Sequence, residues 1–229
     1  MSVFRRMSIP CPACKAVVDF EAVQSVNADR APELRFEILD GAFQRKVCDK
    51  CKKEFRLDPE MTYVDIGRKQ WIAAYPIAKM AQWKKLESEA KGLFDRSFGA
   101  KAPPPARALA QGIRPRVTFG WAALREKIWI AQHSIDDTAL ELTKVALIRN
   151  MKELPLSKET ELRLVDMQRD EFVMAWVHIS DETLVSRFFT NRSYYDDIFA
   201  HPEGWEAATA ELKRGPWVDM ARLLMADAD

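Results

Sequence analysis

The chain has 229 residues, 48% of them apolar and 30% charged, with a formal net charge of +1. Those figures describe a folded chain able to bury a sizeable core, and they exclude a disordered or collagen-like polymer. No apolar run approaches the ~20 residues of a bilayer span, and the first residues, MSVFRRMSIPCPAC, lack the apolar stretch of a secretory leader. A cytoplasmic location is therefore expected. The charge is uneven: residues 1–66 hold 11 Lys+Arg and 11 Asp+Glu, residues 67–157 hold 16 and 8, and residues 158–229 hold 8 and 15. The simplest consequence is that the basic middle and the acidic end neutralise each other within one body, or face solvent.

In chain order, the first feature is CPAC at residues 11–14, followed by AVVDFEAV (16–23), which predicts a strand. Residues 33–48, ELRFEILDGAFQRKVC, contain Asp40-Gly41, a two-residue hairpin signal. Pairing outward from it would set Ile38 against Phe43, Phe36 against Arg45 and Leu34 against Val47. That predicts an antiparallel ribbon leading into Cys48. CDKC follows at 48–51, then EFRL (54–57), MTYVDI (61–66) and WIAAYPI (71–77), further strand patterns. Residues 78–98 switch to helical spacing, with Met80, Trp83, Leu86 and Leu93 on one face. The run KAPPPA (101–106) cannot lie inside a helix or a central strand and predicts a stiff linker.

Beyond it, helices are predicted over 121–133 and 135–151, the second opened by a capping box from Ser134 to Asp137. Glu141 with Lys144 reads as a surface pair. Residues 159–180 predict a hairpin turning at Gln168-Arg169-Asp170, TLVSRFFT (183–190) a third strand, and residues 193–229 short helices. The expected fold class is thus α+β. A small β-rich, zinc-ribbon-like domain with a trailing helix occupies 1–100, a proline-rich linker 101–106, and an α+β domain of helices and a short antiparallel sheet 107–229.

The four cysteines, Cys11, Cys14, Cys48 and Cys51, are the only ones in the chain. Two Cys-x-x-Cys turns supply the four soft ligands of a tetrahedral zinc site. A thioredoxin-like dithiol should stand between a strand and a helix, whereas CPAC precedes a strand pattern and has a matched second pair. Two disulfides are disfavoured in a reducing compartment. The 33 residues between the pairs exceed usual ribbon spacing, a length that the predicted ribbon accounts for. Lys15 and Lys52 stand where zinc knuckles often carry glycine, and both can offset thiolate charge. Four cysteines leave no position for water, so the expected role of Zn2+ is structural.

The pairs Cys11-Pro12-Ala13-Cys14 and Cys48-Asp49-Lys50-Cys51, with ILDG (38–41) and RVTFGWAALREKIWIAQHSIDD (116–137), resemble the bacterial CpXC family, although Asp49 replaces the proline of the second motif. The resemblance implies a zinc-ribbon-like domain and no particular activity.

No phosphate loop, G-x-S-x-G or H-E-x-x-H is present, and His133, His178 and His201 lack ligand spacing. The acidic residues Asp166, Asp170, Glu171, Asp196 and Asp197 follow no pattern that marks a magnesium site. No enzyme is expected, though an enzyme or redox protein using the CPAC pair is a further alternative. The expected function is a non-enzymatic protein-interaction module with a protein partner and no membrane, Trp71, Trp205 and Trp217 being candidate anchors. The alternative is nucleic-acid binding through Arg45, Lys46, Lys50, Lys52, Lys53, Lys84 and Lys85.

Overall fold

The computed structural model describes residues 2–151, 157 and 159–226; residues 227–229 of the expected C-terminal helical segment lie outside them. The class is α+β, with three sheets among the described residues. The largest has five strands in the order β1 (Val3–Pro10), β2 (Val17–Asn27), β5 (Met61–Asp65), β6 (Gln70–Tyr75) and β7 (Arg114–Phe119). β3 (Arg45–Val47) and β4 (Glu54–Arg56) form a two-stranded ribbon. β8 (Thr160–Gln168), β9 (Glu171–His178) and β10 (Leu184–Asn191) form the third sheet in the order β10-β9-β8, with Arg169 at φ 54° in the β8–β9 turn.

The predicted ribbon over 33–48 does not form. Pro32–Leu39 is a helix, α1, with proline in its first turn, where the missing N–H costs nothing, and Glu33 beside it. Gly41, at φ +76°, closes the helix. The Gly41 amide donates to the Ile38 carbonyl at 3.2 Å and the Ala42 amide to the Glu37 carbonyl at 3.0 Å, the paired bonds of a Schellman motif. Asp-Gly thus serves as a helix stop. The same left-handed glycine satisfies a hairpin turn or a helix end, and the fully buried Ile38 decides between them by packing on the helix α4 (Gly120–Gln132).

β1 was not expected from sequence. It is an edge strand exposed along nearly all its length, so its residues show no burial alternation. Backbone pairing to β2 from Val3↔Ser25 to Pro10↔Val17 holds it.

β6 is buried on both faces. Trp71 and Ala73 point toward α2 (Trp83–Phe98), and Ile72 and Ala74 toward α4. The second half of the proline run does lie in a helix, the short α3 (Pro104–Leu109), because its two prolines fall in the first turn, where no N–H is needed; β7 then pairs parallel with β6 from Gln70↔Arg114 to Tyr75↔Phe119. The sheet therefore takes strands from both sides of the run expected to be a linker. Trp71 and Trp217, candidate anchors, are core residues at 2% and 1% exposure; Trp217 packs on Trp83 and Phe119 with ring centroids 5.3 Å apart. Trp205 is half-buried beneath Arg149.

α4 lies between two sheets. Trp121, Leu124 and Ile128 face the five-stranded sheet, while Ala122 and Ile130 face the three-stranded one together with α5 (Asp137–Asn150). Asp136, not Ser134, caps α5, its carboxylate accepting the Ala139 amide at 2.9 Å; Ser134 sits at φ 55° in the preceding turn. Because α4 and α5 are enclosed, Glu141 and Lys144 are fully buried rather than a surface pair. Ion pairs also cross between the basic middle and the acidic end: Arg125–Glu182, Arg163–Glu126 and Arg222–Glu87.

Four short elements complete the described residues: α6 (Ser193–Ala200), a 3-10 turn (Pro202–Gly204), α7 (Glu206–Lys213) and α8 (Met220–Ala226). Their approach to the sheet turns on Glu87 of α2, whose carboxylate accepts the Trp217 amide and the Arg222 guanidinium, both at 2.6 Å. A β-carbon at Gly215 would collide with that carboxylate. Gly215→Ala is therefore expected to displace it and destabilise the protein by about 1–3 kcal/mol, the cost of leaving buried donors unsatisfied, as read from a urea melt.

Candidate metal centre

Each cysteine pair is the tip of an antiparallel hairpin. The first joins β1 to β2 just beyond the Pro10↔Val17 pair, and the second joins β3 to β4 just beyond Val47↔Glu54. The two turns repeat one hydrogen-bond pattern. The Cys11 amide donates to the Ala16 carbonyl and the Lys15 amide to the Cys11 carbonyl, at 2.8 and 2.9 Å. The Cys48 amide donates to Lys53 and the Lys52 amide to Cys48, at 2.9 and 2.8 Å.

Lys15 and Lys52 occupy the glycine position and take the left-handed backbone it requires, at φ 61° and 59°. A non-glycine residue there is strained. Lys52→Gly is accordingly expected to raise stability by about 1 kcal/mol, and Lys52→Val to lower it by more than that because branching at Cβ worsens the clash. Denaturant midpoints of the two variants, with metal content held equal, check this.

The turns face each other. The Cys11 and Cys51 sulfurs are 3.8 Å apart, those of Cys14 and Cys48 3.7 Å, and all four ligand atoms lie within 4.8 Å. A tetrahedron with metal–sulfur bonds of about 2.3 Å has edges of about 3.8 Å. A disulfide needs sulfurs about 2.05 Å apart, and the four cysteines are free. Cys11 and Cys48 are buried, with Val18, Ala16 and Phe55 packed beneath the cluster. The Cys14 backbone amide pulls the Cys11 thiol down to about 6. At Cys51 the Lys53 amide acts in the same direction, but burial and the neighbouring sulfurs outweigh it and push the thiol up to about 11. Four thiolates held this close need a cation to be charged together, and the donor set fits a soft one.

The second hairpin is tied to the body by contacts that carry no sequence signature. The Arg56 guanidinium donates to the Glu182 carboxylate at 2.9 Å and to the Phe43 carbonyl at 2.8 Å, and lies 4.0 Å from the Trp121 ring centroid. Arg125 reaches the other Glu182 oxygen at 3.1 Å, and the Trp121 indole donates to the Leu57 carbonyl at 2.9 Å. Burial pulls the Arg56 pKa down to about 10 although Glu182 opposes it, which leaves the group charged at neutral pH.

The other candidate residues are divided between two places. Arg45, Lys46, Lys50, Lys52 and Lys53 are exposed on the second hairpin, with Arg45 paired to Glu54 at 3.0 Å. Lys84 and Lys85 lie on α2, which packs beside β7, the edge of the five-stranded sheet opposite β1. Lys85 is paired with Glu89. Among the described residues the cysteines are the one group of three or more potential ligands close enough to hold a metal; Asp166, Asp170, Glu171, Asp196 and Asp197 form no such group. His178 is a half-buried residue ending β9, and His133 stacks on Trp129 at 3.8 Å. No helix among the described residues is long and apolar enough to cross a membrane.

Two knuckles closing a four-sulfur cage on a strand framework define a metal-binding module. The family model described as CpXC protein matches residues 9–144, more than half of the chain, and the chain belongs to that family. No curated protein and no solved structure matches it.

Proposed function

We propose that the chain is a cytoplasmic, zinc-binding protein-interaction module in which the metal is structural. The carrying observation is the closed cage: four sulfurs with tetrahedral edges at the tips of two hairpins. Such a site has no coordination position for water or substrate, so its contribution is folding free energy. What the metal would stiffen is a recognition surface. β1 runs directly into the first knuckle and forms the edge of its sheet, with Val3, Phe4 and Met7 exposed. An extended segment of a partner protein can add to such an edge, main-chain hydrogen bonds giving affinity and the exposed side chains giving selectivity.

One observation favours nucleic acid as a second reading: Lys46, Lys50, Lys52 and Lys53 are exposed around the second knuckle with no carboxylate within ion-pair distance among the described residues. Elemental analysis of the purified protein tests the metal, with about one zinc per chain expected. A photocrosslinking residue at Phe4, compared with one at Lys91 on α2, tests the surface. Protein adducts specific to Phe4 and retained in high salt support the edge-strand reading. Co-purifying material absorbing at 260 nm, lost steeply with salt, would replace it with nucleic-acid binding. Absence of metal would overturn the module itself.

A further inference from the structure

The five-stranded sheet ends, away from the cysteines, in a cavity of about 200 Å³. β2 begins at the first knuckle, and β5 runs parallel to it before ending in the Gly67 turn, so the cavity lies at the far end of these strands. Four segments wall it: the turn into β6 and the start of that strand bring Arg68, Lys69 and Gln70, β7 brings Arg114 and Arg116, α4 brings Lys127, and the start of α5 brings Asp136 and Asp137. The register sets Gln70 opposite Arg114 and Ile72 opposite Arg116. The period of two along a strand then places both arginines on the sheet face covered by α4, where the Gln70 side-chain amide donates to the Lys127 carbonyl at 2.7 Å.

The cavity wall holds five cations but two acids, Asp136 and Asp137. Three of the cations have partners. Arg116 binds Asp137 through two hydrogen bonds, of 2.5 and 3.0 Å, Lys127 lies 3.4 Å from both Asp137 and Glu141, and Arg68 lies 3.1 Å from Asp65. Lys69 and Arg114, both exposed at the mouth, have no carboxylate within ion-pair distance among the described residues. Lys69 is held at φ 56° by its turn. Gln70 is 7% exposed, and its Oε1 has no hydrogen-bond partner in the protein. That oxygen is itself enclosed, so the acceptor the wall offers is the half-buried Asp136 carboxylate, while the mouth offers two unneutralised donors, one of them the planar fork that suits a phosphate.

We propose that this cavity binds a phosphate monoester of a small polyol, the phosphate dianion bridging Lys69 and Arg114 and the hydroxyl groups directed toward the Asp136 carboxylate. The size sets the class. The volume lies below the ~300 Å³ at which drug-sized pockets begin, so a sugar phosphate fits and a nucleotide does not. The site is independent of the metal reading.

The test is isothermal titration of the full chain, as purified, at low ionic strength with ribose 5-phosphate, inorganic phosphate and ribose. Saturable binding is expected for ribose 5-phosphate, weaker binding for phosphate and none for ribose. Lys69→Glu and Arg114→Glu, at exposed unpaired positions, are each expected to weaken the ester about tenfold or more, the effect of losing one charge-assisted hydrogen bond. Lys91→Glu, an exposed lysine on α2, is expected to leave it unchanged. Circular dichroism verifies that the variants fold. No saturation by the ester, insensitivity to both cavity variants, or equal weakening by Lys91→Glu would overturn the site; phosphate binding as tightly as the ester would overturn the assignment of an ester.

Discussion

Cys48→Ser is expected to abolish stoichiometric metal binding and to open the tips of both hairpins. The Cys48 sulfur is buried and lies 3.7 Å from that of Cys14, so one serine removes a ligand and leaves three thiols crowded around a neutral hydroxyl. Structural zinc in small domains supplies roughly 10–16 kcal/mol of apparent folding free energy at neutral pH. Here the loss is local, because the cores around Ile72 and Trp71 lie between the sheet and its helices rather than beneath the cage. Hydrogen exchange in the variant is therefore expected to speed up over residues 8–19 and 45–56 and to stay slow over β6. A variant that retains one metal per chain, or whose β3–β4 amides stay protected, would show that the cage does not hold these hairpins. Acidification should mimic the substitution, since the ligands bind as thiolates and protons compete for them.

Lys144→Met is expected to cost about 3–5 kcal/mol, the penalty for breaking a buried ion pair from one side. The Lys144 ammonium lies 2.8 Å from Glu126 and 3.0 Å from Glu141, all three side chains fully enclosed between the sheets. Glu126 also accepts the Leu164 amide at 2.6 Å and Arg163 at 3.1 Å, and Glu141 accepts the Met220 amide at 3.0 Å. The network therefore joins α4, α5, β8 and the start of α8. Burial alone would raise the Glu126 pKa, but Lys144 and Arg163 outweigh it and hold the group below its ordinary value. A carboxyl depressed in the folded state stabilises above its unfolded pKa and loses that contribution as pH falls through the folded one. Asp219, lowered to about 2 because Arg163 and Lys144 outweigh its burial, sets the same window. Glu141 shifts the other way, raised because burial outweighs Lys144 and Lys127, so the weakening of the wild type from about pH 4 downward is carried by Glu126 and Asp219. In Lys144→Met the remaining carboxylates repel each other and their pKa values rise. The deficit should be largest at neutral pH and shrink on acidification. Adding Glu141→Gln should restore part of the stability. Urea melts between pH 3 and 8 separate these outcomes, and a deficit independent of pH would show that the loss is packing alone.

Features that depend on a few adjacent residues were legible in the sequence. The cysteine spacing leads to the knuckles, the polar Gln168-Arg169-Asp170 turn to the β8–β9 hairpin, and the periodicity around Leu124 and Ile128 to α4. The errors arose where one local signal serves two structures. Asp40-Gly41 carries a positive φ that ends a helix as readily as it turns a hairpin. Ser134 and Asp136 are both of residue types that favour helix N-caps, two positions apart, and the left-handed turn at Ser134 leaves the role to Asp136. β1 was missed because an exposed edge strand is held by backbone pairing, which no side-chain pattern records.

The chemistry of the centre follows from local sequence: four cysteines in two short turns, a ligand number and type that suit a soft cation. Local sequence also determined the α+β class through its alternating and helical periodicities. Tertiary structure alone decided which charges are buried. Glu141 and Lys144 have the i, i+3 spacing of a surface pair, and only the placement of α4 and α5 between two sheets removes them from water. It also decided that Trp71 and Trp217 fill the core and that Arg114 and Lys69, 45 positions apart in the chain, meet at the mouth of one cavity. The physical reason is the same in each case: burial and proximity belong to the packing of distant segments, whereas ligand type and turn geometry belong to neighbouring residues.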